Sequence, residues 1–265
     1  MKNLLKSLLI IVLVSFLGCN KTPSKKETII SSKKWQTLFN GKNLNDWIIK
    51  IKGHPVGHNF KNTFIVEDSV LKVNYKAYDS FNNSFGHIFH KNSFSNYKLR
   101  MDYRFTGHQI KGGASWANRN SGIMIHCENP KNIGLNQDFP VSIEVQLLGG
   151  DSVSKRSTGN LCTPGTHVEI DGQLITEHCI NSSSETFPDN QWVHIEIEVR
   201  NDSIIKHFIN DKEVLRYSKP QYGGDVDYNN DYWKSKENLP LKSGFISLQS
   251  ESHPVEFKNI EILAL

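Results

Sequence analysis

Strict two-residue alternation of apolar and polar side chains runs through this chain and leaves little choice of architecture. The window 192–199 places Val193, Ile195, Ile197 and Val199 on one face, with His194, Glu196 and Glu198 on the other. The window 141–147 sorts Val141, Ile143, Val145 and Leu147 against Ser142, Glu144 and Gln146. Ile123 and Ile125 oppose Met124 and His126, and Ile246 and Leu248 oppose Ser247 and Gln249. Successive side chains of a strand point to opposite faces, so each window predicts a strand with one buried face. Turn residues punctuate the pattern. Asp171-Gly172 between 168–170 and 173–175 is a two-residue hairpin signal. Asn210-Asp211 between 204–209 and 214–217 is a second, and Glu67-Asp68-Ser69 between 64–66 and 70–73 is a third. Windows 97–105 and 255–263 predict two further long strands, and no window keeps a helical period beyond a turn or two.

About a dozen short strands without helices predict an all-β, antiparallel sandwich or barrel. The 265 residues include five Trp, eight Tyr and fourteen Phe, enough for a sizeable core and incompatible with disorder as the main state. No repeat long enough for a propeller blade is present. Two stretches, 106–120 and 219–240, read as long loops, where sites on a rigid β scaffold commonly sit.

The first 18 residues predict a lipoprotein signal peptide. Lys2 and Lys6 precede the apolar run 8–17, which is too short to span a bilayer. Phe16-Leu17-Gly18-Cys19 resembles a lipobox, with Cys19 the lipidated residue. Residues 19–34, with five Lys, three Ser and one Pro, predict a flexible tether, and 35–265 a single domain. The expectation is an exported protein, lipid-anchored to the bacterial cell envelope on its periplasmic or outer side. The whole chain carries a formal +4; without Lys2 and Lys6 the balance is 29 basic against 27 acidic residues, which gives no argument for nucleic acid. Export permits disulfides. Cys162 and Cys179 bracket a segment containing the Asp-Gly hairpin and are expected to pair, leaving Cys127 as a small buried residue.

Sequence signatures of nucleotide-binding loops, zinc proteases, EF-hands and serine-hydrolase elbows are absent. What remains is polar residues on the outward faces of core strands. Glu144 and Gln146 share a face, as do Gln249 and Glu251, and His126 follows Met124 on another strand. Brought into one sheet, these groups form a surface that bonds sugar hydroxyls, with Trp116 or Tyr222 as stacking rings. His194, Glu196 and Glu198 read as a solvated face, and His87 and His90, on opposite sides of a strand, cannot share a metal. A Ca²⁺ or other divalent cation is compatible with the carboxylates, but no loop identifies its site.

At these residues the chain resembles the 3-keto-disaccharide hydrolase family. The resemblance is carried by Leu38-Phe39-Asn40-Gly41-Lys42 with Trp47, by Asn120-Ser121-Gly122-Ile123, by Glu144-Val145-Gln146, and by the closing segment 244–262. It covers about residues 35–263. It implies a concanavalin A-like jelly roll of two antiparallel sheets, with long loops over one concave sheet, and cleavage of glycosides already oxidised to a ketone at C3. Such a ketone acidifies the C2 proton; a base removes it, the C1 substituent leaves, and water adds across the double bond. Under that implication Glu144 or His126 is the base, Gln146 and Gln249 hold hydroxyls together with Asn120, Trp116 and Glu251, and Arg119 or a bound cation stabilises the enolate. The competing expectation is a carbohydrate-binding envelope lipoprotein without catalysis, since the same sandwich serves lectins.

Overall fold

The computed structural model describes residues 34–150, 154–188 and 190–265. The expected signal peptide, Cys19 and nearly all of the tether lie outside the described residues. Among the described residues no helix is long and apolar enough to cross a membrane.

In chain order the strands are β1 (Gln36–Thr37), β2 (Trp47–Ile51), β3 (Phe64–Glu67), β4 (Val70–Val73), β5 (Gly86–Phe94), β6 (Asn96–Phe105), β7 (Asn120–Cys127), β8 (Ile143–Leu148) and β9 (Asn160–Cys162). They continue with β10 (Thr166–Ile170), β11 (Gln173–Ile175), β12 (Cys179–Ile180), β13 (Val193–Arg200), β14 (Ile204–Ile209), β15 (Lys212–Tyr222), β16 (Gly244–Ser250) and β17 (Val255–Ala264). They form two antiparallel sheets. One has seven strands in the order β12-β9-β8-β7-β16-β5-β2. The other has ten, in the order β11-β10-β15-β14-β13-β6-β17-β4-β3 with β1 beside β17.

The alternation explains the sandwich. Ile123, Ile125, Ile143, Val145, Leu147 and Leu248 of the seven-stranded sheet share one buried cluster with Leu99, Met101, Ile195, Ile197 and Phe257 of the other. Burying such side chains contributes about 1.5–3 kcal/mol each. The three hairpins form as the turn residues require. Asp68-Ser69 and Asn210-Asp211 both have positive φ at each position, the geometry of a tight turn that follows strand twist. The first of these turns has two residues rather than three, because Glu67 pairs with Val70.

One expectation is corrected. The long loop begins at 223 rather than 219, since β15 continues through Pro220 to Tyr222. A short helix, α1 (Asn230–Lys234), lies within that loop. His194, Glu196 and Glu198 sit on the outer face of the ten-stranded sheet, paired with Asp102, Lys98 and Arg200 respectively. They belong to the sheet that does not carry Glu144.

Cys162 and Cys179 face each other across β9 and β12 and form a disulfide, while Cys127 is free and buried. The bridge spans 17 positions, and closing such a loop is worth about 3 kcal/mol. Replacing both cysteines by alanine is therefore expected to lower unfolding free energy by about that amount, measured by urea denaturation. An unchanged midpoint would contradict this.

Candidate functional site

The outer face of the seven-stranded sheet is unusually polar for a buried surface. Register places His87, Gln249, Gly122, Gln146 and Asn160 in one row across β5, β16, β7, β8 and β9. The next row holds Phe89, Ser247, Met124, Glu144 and Cys162. Loops cover this face, so Glu144 is only 7 % exposed and Glu251, just beyond β16, only 3 %.

Over β8 and β9 the cover opens into a cavity of about 530 Å³, the size of a small-ligand site. Glu144, Gln146, Asn120, Trp116, Arg156 and Glu251 line it, and the Cys162–Cys179 bridge forms part of its wall. A second cavity of about 350 Å³ adjoins it and shares Phe139, Pro164 and His178. Trp116 stands at the mouth, 53 % exposed, with its ring stacked on Phe85 at 6.2 Å.

Gly122 sets the position of the Glu144 carboxyl. A Cβ at Gly122 would lie 2.5 Å from Glu144 Oε1 and 2.8 Å from its Cγ. The side chain of Glu144 therefore occupies the space that any other residue at 122 would fill. This gives a physical reason for a glycine in the Asn-Ser-Gly-Ile segment.

Burial dominates the electrostatics. No described hydrogen bond stabilises the charged form of Glu144, and desolvation pushes its pKa up to about 8. Glu251 is raised well above the usual carboxylate range, first by burial and then by the neighbouring Glu144, with Arg156 acting in the opposite direction. Its Oε2 is buried without a hydrogen-bond partner among the described residues. Two adjacent carboxyls whose ionisations oppose each other provide one acid and one base over a common pH range.

Arg156 is held by three carbonyls. Its Nη1 donates to Gly149 O at 2.9 Å and to Asn118 O, and its Nη2 donates to Trp116 O at 3.3 Å. The amide of Gln146 is oriented through Asn160. Asn160 Oδ1 accepts from the Ser182 backbone N–H at 2.9 Å, so its Nδ2 donates to Gln146 Oε1 at 3.1 Å. The Gln146 Nε2 is left to donate into the cavity. Asn120 Oδ1 is buried without a partner among the described residues.

Residues 34–263 match the model of the family described as the 3-keto-alpha-glucoside-1,2-lyase-like domain. The chain belongs to this family. Membership makes it a carbohydrate-active protein. Two solved structures of Parabacteroides distasonis proteins, both provisionally named glycosyl hydrolases, are similar in fold. One has a TM-score of 0.51 at 20% identity, covering 88% of this chain and 100% of its own. The other has a TM-score of 0.50 at 19% identity, covering 87% and 94%. No curated protein matches the chain.

Three of the four segments that resemble the lyase-like family converge on the cavity: Asn120 with Gly122, Glu144 with Gln146, and Glu251. The fourth is a turn. Asn40 Oδ1 accepts from the backbone N–H groups of Lys42 and Asn43 while Gly41 takes a positive φ, and Leu38 and Phe39 enter the core.

Four expected site residues stand elsewhere. His126 has φ 49 at a bulge in β7, which turns its ring away from the site. Its Nε2 lies 3.0 Å from Asn201 O, in the turn between β13 and β14. Arg119 does not line the cavity; its carbonyl accepts from Gly149 N–H, and the arginine that lines the cavity is Arg156. Tyr222 stacks on Trp233 at 5.6 Å, away from the cavity. Gln249 shares the right face but is fully buried and does not reach the cavity lining. Sequence reasoning missed Arg156 and Phe139. The only signal for Arg156 was its place in the segment Lys155-Arg156-Ser157-Thr158-Gly159-Asn160, a polar turn that leads into β9.

Proposed function

We propose that the chain cleaves 3-keto-glycosides by proton abstraction at C2, with Glu144 as base. The observation that carries this reading is the pair of buried carboxyls, Glu144 and Glu251, facing one cavity beside Arg156. A protein that only bound saccharide would gain nothing from two desolvated carboxyls, each of which costs stability.

In the first step Glu144 carboxylate takes the C2 proton. The electron pair forms the C1–C2 double bond, the C1–O bond breaks, and the leaving oxygen takes the proton of neutral Glu251. In the second step water adds: Glu251, now ionised, takes its proton, hydroxide bonds C1, and Glu144 returns a proton to C2. The sum is hydrolysis. The Arg156 charge stabilises the enolate oxygen at C3, the role for which a preorganised cation in a dry site is most effective. Gln146 Nε2 and Asn120 Oδ1 hold ring hydroxyls, and Trp116 covers a sugar face at the mouth.

A divalent cation would use Glu144, Glu251 and Asn120 Oδ1, hard oxygen donors of which two atoms are buried and unpartnered. Bound there, it would add positive charge near the enolate. Among the described residues no group of three His, Cys, Asp or Glu is arranged to hold a metal. Cys19 and the leader support a working place on the cell envelope.

The test is release of the leaving sugar from 3-keto-trehalose or a simple 3-keto-glucoside, with and without chelator. No release in either condition would contradict the reading. Arg156→Met is expected to lower kcat roughly 10²-fold with little change in KM. It should also move the pH dependence upward, because the cation that holds Glu251 down is gone. An unchanged kcat would remove Arg156 from the mechanism.

A further inference from the structure

Gln249 is fully buried, yet neither its Oε1 nor its Nε2 has a hydrogen-bond partner among the described residues. A leucine would fill the same space without an orphaned amide, so packing alone does not account for this residue. His87, directly opposite on β5, is in the same condition: its Nε2 is buried and unpartnered. Burial pushes its pKa down to about 3, so the ring is a neutral hydrogen-bonding group. On the other side of Gln249 the same register brings Gly122, the bare position over which the Glu144 carboxyl leans. Gln249 and Glu144 thus flank the same glycine, with the Glu144 side chain lying over it.

One ring that lines the cavity also meets this row. Phe139 meets His87 edge-on at 6.2 Å and Phe85 at a tilt at 5.0 Å, and packs against the cluster of Phe89, Met124, Cys127 and Ile133. It also lines both cavities, so the 350 Å³ space provides room for the ring when it turns. Glu128 Oε1 accepts from the Val141 backbone N–H at 2.8 Å and from the Gln137 side-chain Nε2 at 2.7 Å, and the same Nε2 donates to Phe139 O at 2.9 Å. The loop is thus tied on both flanks of Phe139, so any movement of the ring is a rotation about its own side-chain bonds.

We propose that Phe139 is a rotating gate, and that Gln249 and His87 behind it form a second hydroxyl-binding subsite for the pyranose ring held by Glu144. The proposal rests on the saccharide reading above and names where that ring is gripped. The Gln249 amide offers one donor and one acceptor, matching adjacent ring hydroxyls, and the imidazole offers a third contact. The aromatic ring shields these groups when no sugar is present.

The test uses methyl α-glucoside, an unoxidised probe that needs no turnover, and whole protein carrying a fluorinated phenylalanine at 139. The probe is expected to bind and to shift the fluorine NMR resonance. Gln249→Leu is expected to weaken binding at least about tenfold while raising Tm, because an orphaned buried amide is replaced by an apolar side chain. His87→Leu should give the same pair of effects if Gln249→Leu folds poorly. A bound probe with an unmoved resonance, a Gln249→Leu variant that binds like wild type, or no binding at all would overturn the gate. A resonance shift without cleavage of any 3-keto-glycoside would leave the gate standing and overturn the catalytic reading.

Discussion

Glu144→Gln is expected to abolish turnover and, above neutral pH, to stabilise the protein. A positioned general base contributes about 10²–10⁴-fold, so kcat should fall at least 10²-fold. The stability effect follows from the raised pKa. Unfolded, the carboxyl titrates near 4.5; folded, near 8. The folded state holds the proton more tightly, so the contribution to stability is complete below 4.5 and is lost as pH rises through about 8. The full span sets a ceiling on the order of 5 kcal/mol for the burial cost of the ionised group. Glutamine removes that cost. The variant and the wild type should melt together near pH 4.5 and separate by several degrees at pH 9, the variant being higher. The same ionisation governs activity: kcat/KM should rise with pH to about 8 rather than levelling off above 4.5. A variant that is inactive and equally stable at both pH values would keep Glu144 in the reaction but remove the desolvation account of its pKa.

Gly122→Ala is expected to inactivate the protein without unfolding it. The added methyl group would overlap the Oε1 and Cγ of Glu144, at 2.5 and 2.8 Å. The side chain of Glu144 can rotate away, and the β7–β8 ladder need not open. Displacement of a reacting group by about 1 Å costs roughly 10²-fold in rate. The expected outcome is native-like melting with kcat reduced about 10²-fold and a crystal structure with Glu144 in a new rotamer. Full activity in this variant would mean that the Glu144 position is not decisive.

Most of the architecture was legible because it is local. Alternation at 193–199, 143–147 and 246–249 fixes which side chains face the core, and the turn dipeptides fix three hairpins. The polar faces of β8 and β16 were legible for the same reason, which is why Glu144, Gln146 and Glu251 were identified together. What local pattern does not encode is a departure from period two. The bulge at His126 inserts one residue into β7 and removes the ring from the face that counting assigns to it. Nor does it encode which loop reaches over which strand. Arg119 and Arg156 both lie in polar loops, and only the three carbonyl bonds in the folded state select Arg156. Assigning the solvated strand faces also needed the sheet order: His194 and Glu196 alternate as regularly as Glu144 and Gln146 but belong to the opposite layer.

The most direct test of proton abstraction at C2 is to run the cleavage of a 3-keto-glucoside in heavy water and examine the released 3-keto sugar by mass spectrometry and proton NMR. Elimination followed by hydration places a solvent-derived deuteron at C2, with a signal that appears as fast as product forms and disappears in Glu144→Gln. Release of the sugar with its original hydrogen still at C2 would show that the glycosidic bond breaks without that proton leaving, and would contradict the account.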